Sequence, residues 1–115
     1  MNRVVKYFPN CKTCKTPTGA ATVGEPITFT LGFSRPQNPS EVFLSLVKDG
    51  ETPVRYPMNF VKDEDGEYTY TLSIKITSSG LYFYHFEIQN EEQLYRVGSD
   101  VDLHALLGKG GDWQL

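Results

Sequence analysis

The chain has 115 residues and a mass of 13.0 kDa, which fits one domain large enough to bury a hydrophobic core without disulfide or metal cross-links. Its formal net charge of −3 excludes a general nucleic-acid binder, because such proteins need clustered lysine and arginine for phosphate contacts. No apolar run approaches the ~18 residues of a membrane span, so we expect no membrane partner. The first residues lack the apolar stretch of a signal peptide. We therefore expect a cytoplasmic location, or an extracellular one if a leader precedes this sequence.

Alternating apolar and polar residues predict the first clear strands. Residues 27–33 place an apolar side chain at every second position after a Gly-Glu-Pro turn signal, and residues 42–47 alternate less regularly before an Asp-Gly turn. The predicted inward residues of these two strands are Ile27, Phe29, Leu31, Phe33, Val42, Leu44 and Leu46. Phe43 and Val47 then point outward, because successive side chains of a strand face opposite sides of the sheet.

The middle of the chain predicts an edge strand, a loop and a long strand. Residues 54–60 are interrupted by Pro57, which has no N–H to donate to a neighbouring strand, so they predict an edge strand. Residues 62–66 predict a polar hairpin loop. The acidic cluster at 63–67 is either a solvated loop tip or a calcium site, since calcium takes six to eight oxygen ligands. Residues 67–76 alternate strictly, which predicts a half-buried strand.

The remaining segments complete a chain made of strands. Residues 81–88 and 94–97 predict two strands joined by a turn. The glycine-rich stretch 99–112 predicts a loop with one helical turn around 103–107, and residues 113–115 predict the opening of another strand. Short strands at this spacing are typical of an immunoglobulin-like antiparallel β-sandwich, and we expect an all-β fold of about seven to eight strands.

A tyrosine near the start of the strand at 81–88 predicts the facing of that strand. The Gly-Leu-Tyr sequence ending at Tyr82 has the layout of a tyrosine corner, and Tyr84 occupies the position of the usual cysteine, so no inter-sheet disulfide forms there. With Tyr82 inward, Tyr84 is inward too, and Phe83, His85 and Glu87 point outward. The predicted inter-sheet core includes Phe29, Leu44, Leu72, Tyr82 and Tyr84.

The outward residues define a candidate working face. In an immunoglobulin-like sandwich the strands carrying Phe43 and Phe83 pair, so both rings and His85 lie on one face. Three explanations stay open: a flanking loop covers the face, the face contacts another protein or domain, or an aromatic ring stacks on a sugar. We add Trp113, the only tryptophan, to this candidate carbohydrate or interdomain face.

Signals for catalysis or metal binding are weak. Cys11 and Cys14 form a C-x-x-C pair, which is half of a zinc site, a redox pair or two thiols in an N-terminal loop. The sequence holds no G-x-S-x-G motif, no glycine-rich phosphate loop and no identifiable pair of catalytic carboxylates. We therefore predict no catalytic residue, no metal and no cofactor for this chain.

Several runs together resemble one kind of module. They are residues 17–20 (PTGA), 24–31 (GEPITFTL), 56–58 (YPM), 80–86 (GLYFYHF) and 113–115 (WQL). In their order and spacing these runs resemble the N-terminal β-sandwich of α-amylase-type enzymes in glycoside hydrolase family 13, the pullulanase, neopullulanase and amylopullulanase group. The resemblance covers residues 16–115 as a single domain and leaves residues 1–15 as a separate N-terminal segment.

The resemblance implies an accessory domain of a longer enzyme. In such enzymes the catalytic acidic residues lie in a (β/α)-barrel, so none is carried over to this chain. The barrel is then the partner, and weak contact with α-glucan is a second role. The residues themselves keep an alternative from another class: a free-standing immunoglobulin-like interaction or adhesion domain. The coding sequence after Leu115 separates the two.

Overall fold

The computed structural model describes residues 5–7, 14–16, 22–34, 41–64, 66–90, 94–99, 105–107 and 111–115. Regular structure in these residues consists of β-strands, which confirms the all-β prediction, and includes no helix that could span a membrane. The strands are β1 (Val5–Lys6), β2 (Lys15–Thr16), β3 (Ile27–Ser34), β4 (Glu41–Lys48), β5 (Val54–Pro57), β6 (Asn59–Glu64), β7 (Glu67–Ile74), β8 (Tyr82–Gln89), β9 (Leu94–Ser99), β10 (Ala105–Leu107) and β11 (Trp113–Gln114). Their number exceeds the expected count for two reasons. β1, β2 and β10 have only two or three residues, too few to show alternation, and the strand predicted at 54–60 is two strands.

The strands form two antiparallel sheets that enclose the core. In sheet A, β7 pairs along one side of β3 and carries β6 on its far side, while β1 and β2 pair with the other side of β3. In sheet B the order is β10-β9-β8-β4-β5, and β11 pairs with the first part of β8. The pairing of β4 with β8 runs from Glu41 opposite Gln89 to Lys48 opposite Tyr82. This register determines which side chains of sheet B share a face.

One hydrophobic core fills the space between the sheets. Phe29, Leu44 and Tyr84 are fully buried, Tyr82 is 9% exposed, and Leu72 packs against the core from a half-buried position. On β3 and β8 every second residue is buried, as expected for strands that present one face to a core. The predicted core and the predicted facing of these strands are therefore confirmed.

The N-terminal segment contributes Tyr7 to this core. The Tyr7 hydroxyl lies 2.6 Å from the Tyr84 hydroxyl in a buried hydrogen bond, and the Tyr7 ring packs edge-on against Phe86 and Trp113. Burial raises the pKa of both phenols far above the ordinary value, so both remain neutral. The resemblance covers only residues 16–115, but β1 and β2 pair with β3 and place the described part of residues 1–15 in sheet A.

Changing Tyr7 to phenylalanine is expected to lower the free energy of unfolding by about 1–3 kcal/mol, because the buried Tyr84 hydroxyl loses its partner. Urea denaturation measures the loss. In the double variant Tyr7→Phe/Tyr84→Phe both hydroxyls are gone, so most of the loss should be recovered. A double variant whose stability is the sum of two full losses would contradict the pairing.

The predicted edge position of residues 54–60 is confirmed, but the prediction of a single strand there is wrong. Pro57 ends β5 at the edge of sheet B, Met58 donates its N–H to the carbonyl of Val42 (2.7 Å), and β6 begins at Asn59 in sheet A. Met58 is buried at this crossing. Proline stops the pairing as expected, but the chain then changes sheets, and periodicity alone carries no signal for such a change.

The predicted loop at 62–66 is shorter in the structure. β6 continues to Glu64 and pairs with β7 as far as Glu67, which leaves a tight turn with Gly66 in the left-handed region (φ 79°). Lys62 Nζ lies 3.1 Å from Glu64 Oε2. In the described part of the acidic cluster no three side chains come together as metal ligands.

The glycine-rich stretch also contains a strand. Ala105–Leu107 is β10, paired with β9, so the predicted helical turn is wrong where the structure describes it. β9 itself runs to Ser99, two residues beyond the predicted end. Cys14 is half-buried and packs against the core, whereas Cys11 lies outside the described residues. The alternatives for the C-x-x-C pair therefore stay open.

The predicted tyrosine corner is confirmed. The Tyr82 hydroxyl donates to the carbonyl of Ser78 at 2.8 Å and lies 3.2 Å from the Ser78 hydroxyl, which also accepts from Lys48 Nζ at 3.0 Å. Gly80 lies inside this turn at φ 148°, and a Cβ there would come within 2.7 Å of Lys48 Cε. The turn therefore favours glycine at position 80.

Replacing Gly80 with alanine is expected to cost about 1–2 kcal/mol of stability, because an L-residue is strained at this φ. Gly111→Ala is the matched control, since nothing lies within 4 Å of a Cβ at Gly111. Thermal unfolding of the two variants measures the difference. Equal stability of both variants would show that the corner does not require glycine.

Candidate functional site

The outer face of sheet B carries three of the four predicted site residues. Phe43, Phe83 and His85 are half-buried there, on the side of the sheet away from the core. Phe83 lies opposite Val47, and Phe43 lies opposite Glu87, four positions further along β8. Four residues of a strand span about 13 Å. The face therefore has an aromatic side chain at each end, with His85 between them.

The Phe43 end is capped by a cation. The guanidinium carbon of Arg55, on the neighbouring strand β5, lies 4.1 Å from the centroid of the Phe43 ring. Arg55 Nε also donates to Glu87 Oε1 at 2.6 Å. The cation–π contact and the ion pair together hold the guanidinium over the ring. One side of the Phe43 ring is therefore already occupied.

His85 lies between two carboxylates in the middle of the face. Its Nε2 is 3.1 Å from Glu87 Oε2, and its Nδ1 is 3.2 Å from Asp112 Oδ1. Arg96 on β9 pairs with the same Asp112 carboxylate. These polar contacts connect three strands of sheet B, β5, β8 and β9, with the residue that precedes β11. In order, the residues are Arg55, Glu87, His85, Asp112 and Arg96.

This arrangement does not form a nucleophile–base pair. Ser45 lies opposite His85 in the register and is 5% exposed, so it is the serine closest in the sheet to an imidazole. Both ring nitrogens of His85 face carboxylates instead, and a serine nucleophile needs a ring nitrogen directed at its hydroxyl. Among the residues that the structure describes, no three His, Cys, Asp or Glu side chains form a set that could hold a metal ion.

Trp113 does not belong to this face. It is 2% exposed, its ring stacks on Tyr84 at 5.6 Å between centroids, and it packs edge-on against Phe86. β11 pairs Trp113 with Tyr84, so the two side chains share the core side of sheet B. A buried ring cannot stack on a ligand, and the structure separates Trp113 from the other three predicted residues.

Sequence reasoning places Glu87 on this face, because it follows His85 by two positions and so shares its side of β8. It does not assign Arg55, Arg96 and Asp112 to the face. These three depend on which strands are neighbours and in what register. Asp112 lies in the stretch predicted as a loop, which gave no face to assign.

Comparisons with known proteins bear on the fold. No family model matches the sequence, and no curated protein matches it. The structure is similar to cyclomaltodextrinase, with a TM-score of 0.60 and 11% sequence identity over 81% of this chain and 15% of that chain. It is also similar to the solution structure of the carbohydrate binding module of the muscle glycogen-targeting subunit of Protein Phosphatase-1, with a TM-score of 0.55 and 7% identity over 80% of this chain and 71% of that one.

A third similar structure is a mutant of pullulanase from Paenibacillus barengoltzii complexed with maltotetraose, with a TM-score of 0.46 and 25% identity over 76% of this chain and 14% of that chain. The first two likenesses show a shared β-sandwich fold, as the sequence resemblance predicts. The chain spans only 15% of the cyclomaltodextrinase chain, so the likeness concerns one part of that enzyme.

Proposed function

We propose that the chain is a non-catalytic accessory domain of an α-glucan-hydrolysing enzyme of the α-amylase or pullulanase type, and that the outer face of sheet B packs on the catalytic barrel. The observation that carries the proposal is that face, on which half-buried Phe43 and Phe83 flank a fixed set of charges. A sandwich that matches a small part of cyclomaltodextrinase supports it.

The geometry favours a protein partner over a sugar platform. Arg55 covers one side of the Phe43 ring, and Trp113 is buried. Of the three predicted aromatic residues of the face, Phe83 is therefore the one on which no ring or cation stacks among the described residues. A single platform buries little of a sugar, so glucan affinity would lie in the millimolar range, about −4 kcal/mol. Aromatic side chains and arginine are enriched in protein contacts, and this face carries Phe43, Phe83 and Arg55.

Residue-resolved NMR with maltoheptaose or β-cyclodextrin tests the sugar contact. We expect small shifts near Phe83 and Val47 at millimolar ligand, reduced in Phe83→Ala and unchanged in Phe60→Ala, a matched change at the edge of sheet A. Shifts confined to sheet A would reject the face. An absence of shifts would leave the interdomain role as the whole function.

The coding sequence after Leu115 tests the accessory role. We expect a (β/α)-barrel with acidic catalytic residues to follow. A stop codon or a second sandwich would overturn the proposal and favour a free-standing interaction domain.

The purified chain is expected to be inactive on α-glucans. Among the described residues both ring nitrogens of His85 are directed at carboxylates, and the sequence offers no carboxylate pair placed across a cleft, which glycoside hydrolysis requires. Incubation with pullulan and with maltotriose, followed by a reducing-sugar assay, measures this. Sugar release that disappears on changing one Asp or Glu would contradict the expectation.

A further inference from the structure

The two contacts of the His85 ring can both be hydrogen bonds only when both ring nitrogens carry a proton. Each ring nitrogen lies within hydrogen-bond distance of a carboxylate oxygen, one from Glu87 and one from Asp112. An ionised carboxylate only accepts hydrogen bonds, and a neutral imidazole has one N–H and one lone pair. The neutral ring can therefore donate to only one of the two carboxylates. Only the imidazolium, which carries both ring protons, donates to both.

We propose that His85 is a proton-operated clasp that joins strand β8 to the residue entering β11. With both ring protons it donates to Glu87 and to Asp112 at once. Loss of one proton to solvent removes one of these bonds and leaves a lone pair facing a carboxylate. The clasp is therefore closed while the His85 ring carries both protons and open once it has lost one. This inference does not depend on the proposed function.

Among the described residues, two carboxylates contact the His85 ring and two guanidinium groups contact those carboxylates. Glu87 and Asp112 face the ring from β8 and from the start of β11, while Arg55 and Arg96 reach the same carboxylates from β5 and β9. From β4 the cross-strand neighbour of His85 is the uncharged Ser45. The second ring proton of His85 adds one positive charge to these contacts among the described residues. The His85 side chain is only 13% exposed, so water screens these contacts less than it screens surface pairs.

The clasp acts at the attachment of the last strand. Asp112 directly precedes Trp113, which fills the core, and Leu115 donates its N–H to the carbonyl of Tyr82 at 2.8 Å. β11 has only two residues paired with β8, so few backbone bonds hold it. An open clasp is therefore expected to lower the hydrogen-exchange protection of the Leu115 amide.

The test is NMR of the His85 ring nitrogens in the intact chain between pH 5 and 8, with His104→Asn used to assign the two histidines. We expect both ring N–H groups to be present at pH 5 and one at pH 8. Asp112→Asn and Glu87→Gln each remove one carboxylate, so each should move this transition to lower pH. Glu41→Gln is the control, because it removes a carboxylate from β4 about four residues from the His85 position and should leave the transition in place.

Two results would overturn the clasp. The first is that Asp112→Asn and Glu87→Gln shift the pH of the His85 transition no more than Glu41→Gln does. The second is a protection factor of the Leu115 amide that, between pH 5 and 8, changes equally in the parent chain and in Asp112→Asn. Because the two carboxylates lie on different elements, a folding defect in one variant leaves the other to decide.

Discussion

Replacing Tyr84 with alanine is expected to lower the free energy of unfolding by about 3–5 kcal/mol, the range for removing a large buried aromatic side chain. Tyr84 is fully buried and packs against Phe29 and Trp113. Its hydroxyl also pairs with that of Tyr7, so truncation leaves both a cavity and a buried hydroxyl without its partner. Urea unfolding followed by circular dichroism measures the loss.

Phe60→Ala is the matched control for this prediction. Phe60 is 56% exposed at the edge of sheet A, so its truncation should cost less than half as much, because most of its surface already contacts water. A loss under about 1 kcal/mol for Tyr84→Ala would mean that β8 faces the opposite way. A one-residue shift in register turns every side chain of a strand to the other face.

Replacing Trp113 with alanine is expected to cost a similar amount, about 3–5 kcal/mol. The ring packs against Tyr7, Tyr84 and Phe86, so its removal leaves a cavity among these three side chains. The neighbouring Gln114 is exposed, and Gln114→Ala should change stability by no more than about 0.5 kcal/mol. The same urea titration compares the two variants.

The Trp113 result also separates a core role from a ligand role. A surface platform would lose sugar contact on truncation with little loss of stability. Near-native stability of Trp113→Ala, together with weaker binding of maltoheptaose, would therefore contradict the buried position. A large loss of stability is the expected outcome.

Strand facing could be predicted because it depends on local sequence. The sequences of β3 and β7 alternate between apolar and polar residues over eight positions each, and a strand with one buried face needs a period of two. The inward position of Tyr82 then determined which side chains of β8 face the core. These elements contain most of the core, so the fold class followed from them.

Features that depend on tertiary pairing could not be predicted. The strands β1, β2 and β10 are too short to show a period, and each exists because a longer strand offers it hydrogen bonds. The change of sheet at Met58 leaves no trace in the pattern of 54–60. Trp113 was placed on the wrong side for the same reason, since its side of sheet B depends on its pairing with Tyr84.

The candidate face was predictable only for its residues on β4 and β8. Phe43, Phe83 and His85 follow from strand alternation, as the structure confirms for their facing. Arg55 reaches the face from β5, and Asp112 reaches it from the position before β11. No local sequence pattern encodes the register of β5 or β11. Whether the face works as an interface stays a proposal, and a substitution on it provides the test.

Phe83→Asp in the longer enzyme that the proposed function calls for tests the proposed interface most directly. The variant is chosen because an added carboxylate at a half-buried, outward position should disturb a docked partner without disturbing the core, and circular dichroism of the isolated chain checks that the fold is kept. Specific activity on an α-glucan is then compared with that of Phe60→Asp, the same change at the edge of sheet A. We expect Phe83→Asp to lose activity and Phe60→Asp to keep it; unchanged activity of a folded Phe83→Asp enzyme would contradict the interface on the outer face of sheet B.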